Sequence, residues 1–312
     1  MAWAQSATTT YLTDINGVRV PGTSTTTSKD GTKTEVWQSI NGQQVPLEQA
    51  VDKVLREDAK GKVVERTIRK LDPTGQATAT ERVVIEESKL PGGGSSVRST
   101  TYRSDLNGNQ QEAERKTVET HVQGSTTTAD TVIDRPTING YFATVEKRTA
   151  VTQGTDTKSS TTTESVYRPD MNGGYHEALK SVTTVIKNGD QTTQKTDDYE
   201  PGVTGQLQLH AESTSVTKKL PDGTETTQVD LYSANVAGRL YDSTAPMQIK
   251  EQQTIERRTL PDGSVTETLS VRRPTVTDSS RLGDSQKLSE TVCTGKCGAA
   301  PTPKPVVENS HR

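Results

Sequence analysis

The side chains that could support catalysis or metal binding are scattered along this 312-residue chain rather than grouped. Of the histidines, His121, His176, His210 and His311, none forms an HExxH motif, and no cysteine pair lies near the first three. The glycine run at 92–94 lacks the Lys-Ser/Thr of a phosphate-binding loop, and no Gly-x-Ser-x-Gly elbow occurs. Acidic residues are numerous but singly spaced, so no catalytic carboxylate pair stands out. We therefore predict that the protein is not an enzyme and has no catalytic residues, metal site or cofactor.

The cysteines are the one pair with a plausible covalent chemistry. Cys293 and Cys297 are separated by Thr-Gly-Lys, a spacing that can close into a small disulfide loop in an oxidising compartment. An intermolecular cross-link or an attachment point are the alternatives. The segment 293–312 continues into a proline-rich tail that we expect to be disordered.

Tyrosines recur at one position relative to a glycine six residues further on: Tyr102, Tyr167, Tyr199 and Tyr232. If the intervening segments are strands, the four rings form a row on the sheet. The row is either a surface on which sugar rings or another extended polymer stack, or cross-strand packing. We favour packing, because the chain has few other large apolar side chains.

The tyrosines belong to a repeat that is best seen in its turn glycines: Gly108, Gly140, Gly173, Gly205 and Gly238. Their separations are 32, 33, 32 and 33 residues, and a fixed period of this size is the signature of a repeat architecture. Further turn sequences lie midway between them, as at Asn188-Gly189. Glycine after Asn or Asp accepts the backbone angles of tight hairpin turns. The pattern therefore predicts an antiparallel β-meander built from hairpin repeats of 32–33 residues.

Composition limits the core and the partners. Hydrophobic residues make up 28% of the chain and aromatic residues 4%, so a deep core is not expected. Threonine, which suits a pleated sheet, fills the deficit, and this favours ordered β-structure over disorder. The net charge of −3 gives no reason to expect nucleic acid. No apolar run is long enough for a membrane helix. The alternating positions of 145–151 mix charged and apolar residues on both faces, which argues against an outer-membrane barrel.

Along the chain, we predict a short disordered N-terminus at 1–7, a β segment at 8–45, a helix at 46–60 and the repeat meander at 61–292. The helix prediction rests on Pro46 at its start and on the stripe Leu47, Val51, Val54 and Leu55. We expect this helix to cap the sheet. Ala2-Trp3-Ala4-Gln5 is similar to the end of a secretory signal, and with the cysteine pair it favours export to the periplasm, the cell surface or the medium.

These observations predict an all-β fold: a long meander with one short helix, either an elongated, twisted single-layer sheet or a wide, open barrel, with the elongated sheet favoured. The expected function is that of an exported structural or surface element such as a scaffold, a spacer or a filament component. The alternative is a binding module that presents the tyrosine row to a glycan or another polymer. Expected partners are further copies of the chain or an envelope or extracellular polymer, without nucleic acid and without a transmembrane segment.

Overall fold

The computed structural model describes residues 6–13, 18–28, 31–40, 43–105, 107–154, 158–202, 204–234, 247–275, 281–295 and 297. These residues form eighteen strands and one short 3-10 turn at Pro91–Gly93. The strands are β1 Ser6–Thr13, β2 Arg19–Ser28, β3 Gly31–Ile40, β4 Gln43–Asp58, β5 Gly61–Leu71, β6 Ala77–Lys89, β7 Ser95–Ser104, β8 Gln110–Gln123, β9 Thr126–Pro136, β10 Phe142–Gly154, β11 Ser159–Pro169, β12 Tyr175–Asn188, β13 Gln191–Pro201, β14 Leu207–Lys219, β15 Glu225–Ser233, β16 Gln248–Thr259, β17 Val265–Arg272 and β18 Gln286–Thr294.

Every strand pairs antiparallel with its neighbours in sequence, and the sheet closes on itself because β1 pairs with both β2 and β18. The predicted meander is confirmed. Of its two predicted shapes, the elongated open sheet is wrong and the wide barrel is right. Strand twist accumulates across so many strands, and closure leaves no unpaired edge to aggregate. The described turns of the 32–33-residue repeat, at Gly108, Gly140, Gly173 and Gly205, lie at one end of the barrel, which we call the Asn-Gly end. The opposite end is the terminal end, where Ser6 and Thr294 lie.

The local hydrogen bonding explains the turns at the Asn-Gly end. In the turn from β7 to β8, Gly108 N donates to Asp105 O over 3.0 Å, and the Asp105 carboxylate accepts from the backbone N–H of Asn107 and Asn109. Gly108 has a φ of 81°, which only glycine adopts freely. Gly140, Gly173 and Gly205 have φ values of 79°, 79° and 78°. Gly238 lies outside the described residues.

The barrel has a thin core. The accessible surface of the whole chain is 20763 Å², against about 12,700 Å² for a compact monomer of 33.7 kDa. Barrels of about 16–18 strands leave an aqueous channel rather than a filled interior. Among the residues that the structure describes, four hydrophobic ones are buried: Val166, Ala178, Val229 and Val271. The low apolar content of the sequence is therefore enough for this fold.

The pairing register separates the side chains into two faces. Outside the bulges, the buried strand residues all lie on the same face: Val166, Thr196, Ser213, Ser215, Thr227, Val229 and Val271. Inward side chains of a closed barrel crowd one another, so this is the lumenal face and the alternate positions form the outer face. These seven residues lie on β11–β17, and we call that part of the wall the packed arc.

The helix predicted at 46–60 is wrong, because Gln43–Asp58 forms β4 and pairs along its length with β3 and β5. A helix there would leave two strand edges unpaired and would find no core to bury its stripe. Three members of the stripe stay exposed, with Leu47, Val51 and Leu55 being 39%, 40% and 50% accessible, and Val54 is partly buried. Two register shifts in β4, at Leu47 and at Leu55, disrupt the two-residue alternation and produce the helix-like spacing.

Candidate functional site

The four predicted tyrosines occupy equivalent positions on the outer face. Their cross-strand neighbours on the preceding strand are Arg82, Lys147, Lys180 and Glu212 for Tyr102, Tyr167, Tyr199 and Tyr232 respectively. All four rings are partly accessible, neither buried nor fully exposed. The repeat therefore brings the four rings to one height on one face. Both the packing and the ligand hypotheses require this arrangement, so the position alone does not separate them.

Each tyrosine also opposes an irregularity in the following strand. The register shifts between Thr101 and Tyr102, and the same shift occurs immediately before Tyr167, Tyr199 and Tyr232. At each shift the following strand has one extra residue, a β-bulge, which locally breaks the ladder. Each ring thus lies beside a point where the ladder of hydrogen bonds is interrupted. This position favours a role in packing against the sheet.

The bulges form a belt around the whole barrel. All nine odd-numbered strands, counted from β1 to β17, oppose such a shift, at Tyr11, Trp37, Leu71, Tyr102, Asp134, Tyr167, Tyr199, Tyr232 and Ser270. Sequence analysis missed Tyr11 and Trp37 as members of this row. A signal was present for Tyr11, which lies six residues before Gly17. The aromatic belt is therefore longer than the repeat alone suggests.

Cations cover several rings on and near this belt. The guanidinium of Arg19 lies 3.7 Å from the centre of the Tyr11 ring, and that of Arg82 lies 4.3 Å from the Tyr102 ring. Below the belt, towards the Asn-Gly end, Arg115 lies 3.9 Å from Phe142 and Lys147 4.0 Å from Tyr175. A ring face that already holds a cation is not free to stack on a sugar. These contacts favour packing over ligand binding at Tyr102.

The lumenal face carries a second recurrent feature, a series of acid–base pairs near the Asn-Gly end that we call the rim pairs. Each joins a carboxylate on an even strand to a cation on the next strand or, for Arg273, on the residue that follows it. Arg103–Glu81, Arg135–Glu114, Arg168–Glu146 and Arg273–Glu251 have N–O distances of 2.7, 2.8, 3.4 and 2.7 Å. Glu48 and Lys70 occupy the matching position on β4 and β5. The mouth of the barrel at this end is therefore lined with guanidinium groups.

The series is interrupted on β12–β15, within the packed arc. At the positions that the acid and the base of a rim pair would occupy, Leu179 is opposite Glu200 on β12 and β13, and Ala211 is opposite Ser233 on β14 and β15. Neither combination can form an ion pair. Nearby, Asp198 is a lumenal carboxylate whose pKa is raised, first by burial and further by the charges of Asp197 and Glu200. A hydrogen bond from Ser181 and the proximity of His210 oppose this rise. The fold therefore favours the protonated form of the Asp198 carboxyl.

The sulfur atoms of Cys293 and Cys297 are bonded, with the Cα atoms 5.9 Å apart. Cys293 lies on β18, opposite Thr8 of β1 and Val265 of β17. The disulfide loop therefore lies at the terminal end, on the strand that closes the barrel. The predicted disordered segments at 1–7 and 293–312 fall largely outside the described residues.

Within the part of the chain that the structure describes, no group of three or more His, Cys, Asp or Glu side chains is placed to hold a metal ion. The same part contains no helix with the length and hydropathy needed to cross a membrane.

Comparison with known proteins identifies a fold. No protein family matches the sequence, and no curated protein does. Among solved structures, two mutants of the porin of Rh. blastica resemble this chain. A triple mutant has a TM-score of 0.50 and a quintuple mutant one of 0.51. In both cases 94% of this chain and 98% of the porin are covered at 8% sequence identity. The protein is thus an all-β barrel with a porin-like fold.

Proposed function

We propose that the protein is an exported, non-enzymatic barrel of the cell envelope that acts as a hydrophilic structural or surface element outside the bilayer core. The observation that carries this proposal is the charge of the outer face. A barrel that spans a bilayer needs an outward apolar band about 25 Å tall, and the middle of this wall has ion pairs instead.

Lys195 is the clearest case, because it lies midway along β13 on the outer face. Its ammonium lies 2.9 Å from Glu212 and 3.3 Å from Asp197, and hydrogen bonds to both carboxylates raise the pKa of Lys195. On β3, on the opposite side of the barrel, the Lys33 ammonium lies 2.9 Å from the Glu35 carboxylate. Its hydrogen bond lowers the pKa of Glu35. Placing an Arg or Lys on the lipid face at the bilayer midplane costs about 2–4 kcal/mol each. The outer wall is therefore suited to water.

Export is supported by the disulfide between Cys293 and Cys297, since disulfides persist in oxidising compartments. The N-terminal residues that suggested a secretory signal lie outside the described part of the chain.

A membrane channel is the second candidate. The specific observation in its favour is the porin-like fold, which extends over 94% of the chain. A ligand row of tyrosines is the third, and the shared register of Tyr167 and Tyr199 supports it, although the bulges beside them favour packing.

Envelope fractionation separates these candidates. We expect the native protein to be released from membranes by alkaline carbonate without detergent, and the purified barrel to give no ion conductance when added to planar bilayers. Extraction that requires detergent, together with discrete conductance steps, would replace the structural proposal by the channel. Retention on a polysaccharide resin that disappears in Tyr167→Ala and Tyr199→Ala variants, with unchanged melting temperatures, would support the binding module.

A further inference from the structure

Hairpin turns that the structure describes contain four Asn-Gly pairs: Asn107-Gly108, Asn139-Gly140, Asn172-Gly173 and Asn188-Gly189. The first three lie at the Asn-Gly end and the fourth at the terminal end. An asparagine before glycine can lose its side-chain amide, because a glycine has no Cβ to hinder the approach of its backbone nitrogen. All four asparagines are exposed, and no atom lies within 4 Å of the place where a Cβ of the following glycine would stand. Neither exposure nor space therefore distinguishes the four pairs.

The hydrogen bonding of the glycine N–H does distinguish them. In three pairs the glycine donates to the carbonyl oxygen three residues earlier, over 3.0, 2.9 and 3.2 Å at Gly108, Gly140 and Gly173. The hairpin from β12 to β13 is tighter, since Asn188 pairs directly with Gln191. In that hairpin Gly189 has a φ of 58°, and its N–H donates no hydrogen bond among the described residues. The Gly189 nitrogen is therefore the one that no acceptor holds away from reaction.

A second difference grades the three turns at the Asn-Gly end. In the turn from β11 to β12, the Asp170 carboxylate accepts the N–H groups of Asn172 and Gly174 over 2.8 Å each. The turn from β7 to β8 has an equivalent carboxylate with the same two bonds. In the turn from β9 to β10, Thr137 takes the place of the aspartate, so the carboxylate is missing there. The turn at Asn139 is therefore held by fewer hydrogen bonds than the turn at Asn172.

We infer that Asn188 is a site of spontaneous deamidation in the folded protein. The Gly189 nitrogen attacks the side-chain carbonyl carbon of Asn188 and forms a bond to it. The bond from that carbon to the amide nitrogen breaks, and ammonia leaves with the proton of the Gly189 N–H. Water then opens the five-membered imide at either of its carbonyl carbons and returns a proton to the ring nitrogen. The product is aspartate or isoaspartate, water is the co-reactant, and nothing is oxidised or reduced.

The modification changes a hairpin of the packed arc. Each event adds one negative charge to a chain whose net charge is −3. The isoaspartate product also lengthens the backbone by one carbon at the residue that pairs with Gln191, where the β12–β13 ladder meets its turn. We expect this last pair to separate in the isoaspartate form, because the two strands no longer keep their register at the turn. The change is confined to the terminal end, away from the rim pairs.

Peptide mass spectrometry of the full chain tests the inference. The folded protein is incubated in mildly alkaline buffer, samples are digested, and the rate of deamidation is measured for each Asn-Gly peptide. We expect Asn188 to react about tenfold faster than Asn172, a factor of the size that a hydrogen bond contributes, and Asn139 to react at an intermediate rate. In urea that unfolds the chain, all four pairs should react at similar rates, because the turns that distinguish them are lost.

Two variants sharpen the comparison. Asp170→Thr gives the turn at Asn172 the arrangement of the turn at Asn139, so Asn172 should then react at the rate of Asn139 while Asn188 keeps its own rate. Asn188→Gln removes the fast site, because ring closure from the longer side chain is slower, and should leave the rates at the other three pairs unchanged. Melting temperatures equal to that of the parent would confirm that both variants are folded.

Three results would overturn the inference. The first is an equal rate at Asn188 and Asn172 in the folded chain. The second is an order of rates that persists in urea, since the local sequence and not the turn would then be its cause. The third is no reaction at Asn188 in the folded chain with reaction in urea, because the hairpin would then hold the side chain away from the Gly189 nitrogen. None of these results bears on the proposed function, which envelope fractionation tests separately.

Discussion

The packed arc and the strands β4–β10, which we call the charged arc, use the same turns and the same threonine-rich strands, yet their lumenal faces differ. The packed arc buries Val166, Val229 and Val271 among small Ser and Thr side chains. The charged arc instead presents pairs such as Arg66 with Asp52, joined by two hydrogen bonds of 2.6 and 2.7 Å. One side of the barrel is therefore held by close packing and the other by paired charges in water.

This difference indicates that the packed arc contributes more to the free energy of unfolding than the charged arc does. Burial of apolar groups contributes about 25 cal/mol per Å², whereas an exposed ion pair contributes about 0–1 kcal/mol. The hydrogen-bonded ladder is common to both arcs and does not distinguish them. Substitutions in the packed arc should accordingly cost much more than matched substitutions in the charged arc, and the largest effect should be at Val229.

Val229→Asp tests the packed arc directly. Val229 is 1% accessible, and a carboxylate there would be buried without a cation partner. We expect a loss of about 3 kcal/mol or more in the free energy of unfolding, measured by urea denaturation. The matched variant in the charged arc is Val118→Asp, on the lumenal face of β8, where the side chain is only partly buried. It should cost about 1 kcal/mol or less. Equal costs would remove the distinction between the arcs.

The belt tyrosines provide the next largest effect. Tyr199→Ala removes a partly buried ring beside a bulge in the packed arc, and we expect it to cost about 2–3 kcal/mol. Tyr199→Phe is the control that keeps the ring, and its cost should be about 1 kcal/mol or less. Tyr102→Ala makes the same change in the charged arc. Differential scanning calorimetry on the three variants measures the effects. A change within about 0.5 kcal/mol for both alanine variants would contradict a packing role.

How far the sequence predicts this structure depends on the range of the interactions. The turns were predictable because a glycine such as Gly173 fixes local backbone angles by itself, and the meander follows from their spacing. Closure was predicted only as the less favoured of two shapes, since it depends on twist summed over all the strands. The 46–60 segment was mistaken for a helix because its bulges at Leu47 and Leu55 produce helical spacing. The shared register of the tyrosines was foreseen, but the bulges opposite them depend on long-range pairing.

Asp198 gives a smaller effect that depends on pH. Because burial raises its pKa, the fold favours the protonated carboxyl. The folded state thus loses stability as pH rises from the ordinary aspartate value, about 3.9, through the raised folded value. We expect Asp198→Asn to have a higher melting temperature than the parent at neutral pH, and the advantage to disappear below about pH 4. Melting curves across this range measure it. A variant less stable than the parent at neutral pH would contradict the assignment.

The rim pairs should give the smallest effect, and the pair of Arg103 with Glu81 is the best one to measure. Its N–O distance is 2.7 Å, and the bond to Glu81 raises the pKa of Arg103. The guanidinium is largely exposed, so water and salt screen the attraction. A double-mutant cycle with Glu81→Gln and Arg103→Gln should give a coupling of about 0.2–1 kcal/mol that falls as salt is added. A coupling well above this, insensitive to salt, would mean that the charged arc is held by its ion pairs as firmly as the packed arc is by Val229.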